Sequence, residues 1–521
     1  MEKAPQKQAA PKGEGWSSLW KKEDWLAVWL GFLIMFSVIA GVTLTVPSFR
    51  WLTAGELNTF LAEQSAKVDK LAKDAEAKGE KALLTEVNAL QAAIQKQDRA
   101  AVVSAAGKVN SVAKDVKDSK LKADAQKLGA DIRSQARREI SRVLSWGNMQ
   151  SVLIVGVIYL ILTAVGIFLK GGKVALYALG FPVVFLLAFF ANFLGGNHTM
   201  REWGFGFVLW ALILGLLVSN LVRLPDWLKE AVQTEFFIKT GLVIFGASIL
   251  FDRIIAAGGL GLIQGIIVIV TVWYAAYWIL KKYFKLDDEF SAVMASAVSI
   301  CGVSAAIAAH GAVKGDPKKM GYVTSLVLLM AMPMMILQPL IARALGLSEA
   351  VAGAWMAGTI DTTAAVVVAG AMVGPTAMEY ASILKLTQNA LIGVVAFVLA
   401  IIWTYKDKAK ASAGAEKPSA MEIWYRFPKF VLGFVVASFI FSTMIDPKVV
   451  SATAPLLTFL REYWFALAFV CIGLDTRFAE LIKIGGGAPA LGFVTTQLFN
   501  VVWVLVIAYL LFGGLFFPPP F

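Results

Sequence analysis

Apolar runs of about 20 residues recur along this chain, and two of them are broken at their middles by small and hydroxyl residues: Ser299-Ile-Cys-Gly-Val-Ser304 and Gly358-Thr-Ile-Asp-Thr-Thr363. A run of that length spans a hydrocarbon core of ~30 Å, so the chain reads as an all-α polytopic membrane protein. Glycine in mid-run frees backbone groups, which at bilayer depth must be satisfied by protein, water or ligand. Two interrupted runs in one chain therefore predict a binding site near the midplane, built by broken or re-entrant helices. Composition agrees, with 58% hydrophobic and only 16% charged residues.

The net charge of +12 reads as topology before it reads as nucleic-acid binding, because no soluble basic module interleaved with aromatics stands outside the large polar insert. Two cysteines, Cys301 and Cys471, permit neither a disulfide framework nor a CxxC metal site. The chain lacks HExxH, GxSxG and Walker A motifs and has two histidines, so an enzyme or an ATP-driven pump is disfavoured, and no metal site or cofactor is expected beyond a coupling proton or sodium ion.

Four regions follow in order. Residues 1–24 form a polar tail and an interfacial segment with Trp16, Trp20, Lys21 and Lys22; residues 1–15 are too polar to fold. Residues 25–46 are a first transmembrane helix, with the N-terminus in the cytoplasm. Residues 47–145 change to Ala, Lys, Asp and Gln with apolar residues at helical spacing (Leu83, Leu84, Val87, Leu90, Ile94), which predicts an extracytoplasmic helical insert with breaks near Gly79, Asp98 and Asp118. Its bland reading is a structural or oligomerisation bundle, so self-association of the chain is open. Residues 150–515 are the transporter core, with spans near 152–169, 176–194, 206–221, 236–250, 260–280, 383–403, 430–444, 456–472 and 491–512. Lys281, Lys282 and Lys285 and the linker 406–417 fall inside. Re-entrant hairpins, or helices unwound at mid-depth, are favoured, since a hairpin returns Lys314, Lys318 and Lys319 to the cytoplasm where a full crossing would leave them outside. Gly246, Phe251, Gly258 and Gly259 recur 227 positions later as Gly473, Phe478, Gly485 and Gly486, which reads as an inverted repeat.

Ser299 to Ala305, Ala312-Val-Lys-Gly315, Gly358-Thr-Ile360, Val366 to Gly370, Ile383-Leu-Lys-Leu386 and Gly473-Leu-Asp-Thr476 resemble the sulfate exporter family of bacterial inner-membrane proteins, over residues 150 to 512. The resemblance implies an inverted-repeat fold like that of sodium/proton antiporters, placement in the bacterial inner membrane, and transport of a small anion. Three positions depart from the family's pattern. Asp361-Thr362 stands where relatives tend to carry His-Glu, Gln388 stands where an arginine is common, and His310 replaces an acidic residue.

The residues themselves nominate a site. Ser299, Cys301, Gly302, Ser304, Thr359, Thr362, Thr363 and Gln388 are candidates for binding substrate, through hydroxyl donors and helix N-termini. Back-bonding of each hydroxyl within its own helix is the bland alternative, and Cys301 reads as a packing residue. Asp361, Lys385 and His310 are the coupling candidates: a carboxylate at mid-bilayer costs at least ~2.5 kcal/mol and must be paired, protonated or facing water, and Lys385 is its natural partner. Met330, Met332, Met334 and Met335 read as packing. Secondary transport of a small anion, a sulfate-like oxyanion or a small organic acid, is the favoured function. An anion channel, or a membrane sensor using the external bundle, is the alternative.

Overall fold

A computed structural model describes residues 16–203, 205–313, 315–408, 420–477, 479 and 487–521. The segment 1–15, most of the basic linker, Lys314, and three members of the proposed 227-residue repeat (Phe478, Gly485 and Gly486) lie outside them. The described chain is helical, with no strand among the described residues and one isolated bridge, Trp51 to Asn197. It divides into two compact units, one of residues 44–157 and 189–210 and one of the remainder. Among the described residues, seven helices are long and apolar enough to cross a membrane.

α1 (Glu23–Ile39) belongs to the second unit, and the first holds α2 (Ala54–Ala77), α3 (Lys81–Gln95), α4 (Arg99–Val112) and α5 (Ser119–Ala136). The breaks fall where turn chemistry predicts. Gly79 adopts φ +70, and the carboxylates of Asp98 and Asp118 accept hydrogen bonds from the first turns of α4 and α5. The expected 25–46 span is shorter in the structure: α1 ends at Ile39, where Gly41 (φ +100) stops the helix, and the chain runs on without helix to Thr53.

The second unit takes up α6 (Trp146–Leu169) from Ile158 and α7 (Val174–Gly195) as far as Ala188, then α8 (Phe207–Leu221), α9 (Thr234–Gly246) and α10 (Phe251–Lys282). Next come α11 (Asp288–Ser299), α12 (Val303–Val313), α13 (Pro317–Ala344), α14 (Glu349–Thr359), α15 (Thr363–Val373), α16 (Pro375–Ala390) and α17 (Ile392–Lys408). The unit ends with α18 (Lys429–Thr443), α19 (Pro447–Asp475) and α20 (Ala488–Phe512). Where one span was expected near 383–403, α16 and α17 run together over Pro375–Tyr405.

The two broken runs are re-entrant hairpins. Laid end to end, α11 and α12 would separate Asp287 from Lys319 by about 30 Å or more at 1.5 Å per residue; instead the two side chains form an ion pair at 2.5 Å, and Phe290 stacks edge-on against Tyr322. The second hairpin closes the same way at the other face. Glu349 Oε2, at the start of α14, accepts from the backbone N–H of Ala377 at 2.9 Å, and Arg343 donates to the carbonyl of Met372 at the end of α15. Small residues let the hairpin lie directly on α16. A Cβ on Gly353 would meet Ala377 O at 2.5 Å, and one on Gly370 would meet Met378 Cα at 2.9 Å.

Each hairpin is followed by a full span opening on proline, Pro317 and Pro375, and α13 and α16–α17 run in opposite senses. Hairpin plus span thus occurs twice in opposite senses, with the Asp287–Lys319 tie of the first answered by the Glu349–Ala377 tie of the second. This is a different register from the 227-residue spacing read in the sequence.

Candidate functional site

The hairpin turns are made of residues that do not continue a helix. Ile300 breaks out at φ −127, ψ −90, and Gly302 takes φ +61, where a side chain would be strained. A Cβ on Gly302 would come within 2.9 Å of both Asp361 Cβ and the Asp361 carbonyl, so the two tips touch. In the second tip Thr362 caps α15, its hydroxyl accepting from the Ala365 N–H at 3.3 Å.

Carbonyls released by the broken helices are taken up by side chains from neighbouring spans. Gln388 Nε2 donates to Ser299 O (3.0 Å), Lys385 Nζ to Ile300 O (2.6 Å), Asn500 Nδ2 to Val298 O (3.0 Å) and Gln497 Nε2 to Thr359 O (2.7 Å). This is how irregular backbone survives at depth. Asn500 of α20 reaches the backbone beside both tips, since it also approaches Gly358 O at 3.5 Å, whereas Gln497 serves the second tip alone, approaching Asp361 Oδ1 at 3.5 Å as well.

Asp361 is 1% exposed and Lys385 likewise. Among the described residues Lys385 closes no ion pair on Asp361 within 4.0 Å; its ammonium is held by Ile300 O and by Gln388 Oε1 at 3.2 Å. The tips are also rich in buried acceptor oxygens. Asp361 Oδ2, Ser299 Oγ, Asn389 Oδ1, Gln497 Oε1 and Asn500 Oδ1 have no hydrogen-bond partner among the described residues.

A cavity of about 650 Å³ reaches this meeting point. Cys301, Ser304, Thr362, Thr363 and Asn389 line it, as do Glu23, Asp24, Lys239, Arg426 and Lys429. Both outgoing half-helices, α12 and α15, begin at this cavity and turn their partly positive N-termini toward it.

Apart from Asp361 and Lys385, the site residues read from the sequence separate into three groups. Ser304, Thr362, Thr363 and Cys301 meet the cavity. Ser299, Thr359, Gln388 and Gly302 are buried as the tips' framework: the Thr359 hydroxyl donates back to Trp355 O at 2.7 Å and pairs with Gln338, which is the local bonding weighed above. His310 stands in the last turn of α12, about 9 Å along the axis from Ser304. Met334 does more than pack, since its sulfur accepts from Gln497 Nε2 at 3.1 Å.

Sequence reasoning missed Asn389, Gln497 and Asn500, and it missed an ion network on the cavity wall. Lys239 Nζ lies 2.9 Å from both Glu23 and Asp24, and Glu23 also binds Lys170 at 2.7 Å. The available signal was Lys239, the fourth residue of the 236–250 apolar run, which at membrane depth demands an acidic partner.

Comparison with known proteins places the chain. It is 38% identical over 384 residues to a UPF0324 membrane protein of Rhodopirellula baltica, covering 71% of this chain and 69% of that one. It is 39% identical over 363 residues to a UPF0324 membrane protein of Nitratidesulfovibrio vulgaris, covering 67% of this chain and 62% of that one. A relative in Nitrosomonas europaea is 28% identical over 412 residues, or 69% of this chain and 84% of the relative. These names state a membrane protein and no solute. No solved structure matches the chain. The family described as Conserved hypothetical protein 698 matches residues 179–489, which contain both hairpins, and the chain belongs to that family.

Proposed function

We propose that this chain is a secondary active transporter of a small anion, a sulfate-like oxyanion or a small organic acid, driven by a proton or a sodium ion. The observation that carries this reading is the meeting of two oppositely entering hairpins at a cavity of about 650 Å³, where Ser304, Thr362 and Thr363 and two helix N-termini face the space. Hydroxyl donors and helix dipoles suit an anion.

Asp361 supplies the coupling. It lies in the tip between Thr359 and Thr363, so a charged carboxylate and an anion at Thr363 repel each other, and a neutral or cation-bound Asp361 admits the anion. The unpartnered oxygens of Asp361, Ser299, Gln497 and Asn500 offer a sodium ion or a proton the hard, oxygen-only surroundings it takes. Linkage then makes cation arrival favour anion binding and cation release favour anion release. In this reading the Lys281–Asp287 face is cytoplasmic, the N-terminus is cytoplasmic, residues 47–145 are extracytoplasmic, and the membrane is the bacterial inner membrane.

The test is uptake into proteoliposomes of labelled sulfate, phosphate and small mono- and dicarboxylates under imposed proton or sodium gradients. Accumulation of one of these anions above its outside concentration, only with a gradient, is expected. Equilibration indifferent to both gradients would overturn the reading in favour of a channel.

A further inference from the structure

The unit of residues 44–157 and 189–210 carries a second concentration of charge, independent of the transport reading. A cavity of about 290 Å³ is lined by Arg50, Trp51, Gln135, Arg138, Arg201 and the His198–Glu202 pair, among others. Its three arginines come from three separate stretches of chain that hydrogen bonds lock together. Trp51 exchanges backbone bonds with Gly196 O and the His198 N–H, both at 3.1 Å, and its indole donates to Phe193 O at 2.7 Å. The Arg138 carbonyl accepts from the Leu52 N–H and from Arg99 Nη2, both at 2.7 Å, while its guanidinium donates to Gln135 at 2.8 Å. Beside them the Glu56 carboxylate accepts from Asn197 Nδ2 and from the Thr199 N–H, both at 3.1 Å, and so fixes the loop that precedes Arg201.

Three positive side chains lining one cavity give it a positive potential that attracts an anion. The one carboxylate lining the cavity, Glu202, lies 3.0 Å from His198 Nε2. Burial, and then the charges of Arg50 and Arg201, push the Arg138 pKa below the ordinary arginine value. Arginine is also the side chain whose planar fork matches a carboxylate, sulfate or phosphate group in two-point contact. The volume equals about ten waters at ~30 Å³ each, room for such a group and its hydration.

We propose that this pocket is an oxyanion-binding site in which Arg50, Arg138 and Arg201 grip a carboxylate, sulfate or phosphate group beside Trp51. The group is supplied by a free anion or by the phosphate of an anionic lipid headgroup.

The test uses the full chain in nanodiscs. In neutral phosphatidylcholine, calorimetric titration with sulfate, inorganic phosphate and succinate reads free anions; in discs containing phosphatidylglycerol, native mass spectrometry reads retained lipid. Binding of one of the three anions, weakened at least tenfold in Arg138→Gln and in Arg201→Gln and partly kept in Arg138→Lys, supports a free-anion site. Phosphatidylglycerol retained by the parent and lost by both glutamine variants supports a headgroup site. Should Arg138→Gln fail to fold, the exposed Arg201→Gln decides alone. Anion and lipid binding that persist undiminished in the glutamine variants, or that are absent from the parent in both arms, overturn the proposal.

Discussion

Leu57, Leu61, Val68, Leu83, Val87, Leu90, Val109 and Ile132 fill the centre of the helical insert, whereas Ser299, Thr359, Asp361, Lys385, Gln388, Gln497 and Asn500 are buried as deeply around the hairpin tips. The insert excludes water with apolar side chains, and its polar groups stand around that centre as caps, ion pairs and cross-links such as Gln91 to Asp69. The hairpin core buries polar groups and satisfies them across elements far apart in the chain, as Asn500 does for Val298. Apolar burial tolerates substitution in proportion to lost volume, while a buried polar network fails when one member is left unpaired. Each region should therefore break in its own way.

The largest effect is expected at Asp361. In Asp361→Asn the neutral side chain mimics the protonated acid, so the anion still binds, dependence on pH or sodium disappears, and concentrative uptake is lost. Equilibrium binding and gradient-driven uptake in the same proteoliposomes measure both. Uphill transport with unchanged ion dependence would make Asp361 a framework residue like Gln388.

These two regions were also unequally legible. Gly79, Asp98 and Asp118 mark the insert's breaks because turn and cap chemistry is local, and the long spans follow from apolar length alone. The hairpins were legible as interruptions, and the charge of Lys319 favoured a re-entrant path. What could not be read was which polar residue serves which. Gln388, Gln497 and Asn500 reach carbonyls 89 to 202 residues away, and no periodicity encodes such pairings. Lys385 was assigned to Asp361 on charge, yet its ammonium rests on Ile300 O, a backbone group that shows itself only once the tip has formed.

Leu90→Ala probes the other side of the comparison. The side chain is fully buried in the insert, so the variant should lose about 3 kcal/mol of local stability. Hydrogen exchange confined to residues 54–136 should rise while transport is kept. Loss of transport in a variant whose core remains protected would show that the insert is part of the transport cycle.

A smaller loss is expected at Glu349, which ties the start of the second hairpin to the first turn of α16 through Ala377. Glu349→Gln removes a negative charge from a helix N-terminus and weakens that bond, costing about 1–2 kcal/mol. Thermal unfolding should shift accordingly. An unchanged melting temperature would mean that the packing of Gly353 and Gly370 holds the hairpin without this tie.

The smallest effect tests Glu56, the charged group of the capping box that opens the insert's first helix. Burial alone would raise the Glu56 pKa, but hydrogen bonds from Thr199 and Thr53 outweigh it and lower the value to about 2, against ~4.3 in an unfolded chain. A folded pKa below the unfolded one gives stability that is complete above the unfolded value and disappears as pH falls toward about 2. Because the carboxylate is only partly buried, solvent screening reduces the contribution to about 1 kcal/mol from the larger figure the full shift would imply. Glu56→Gln should therefore weaken protection of α2 at pH 7 and match the parent near pH 2, with the difference closing between those limits. Hydrogen exchange, corrected for the intrinsic rate at each pH, reads this out. A difference that stays constant with pH would assign Glu56 a steric role in holding Asn197 and Thr199, and the insert would then resemble the core in relying on a long-range polar contact irrespective of its charge.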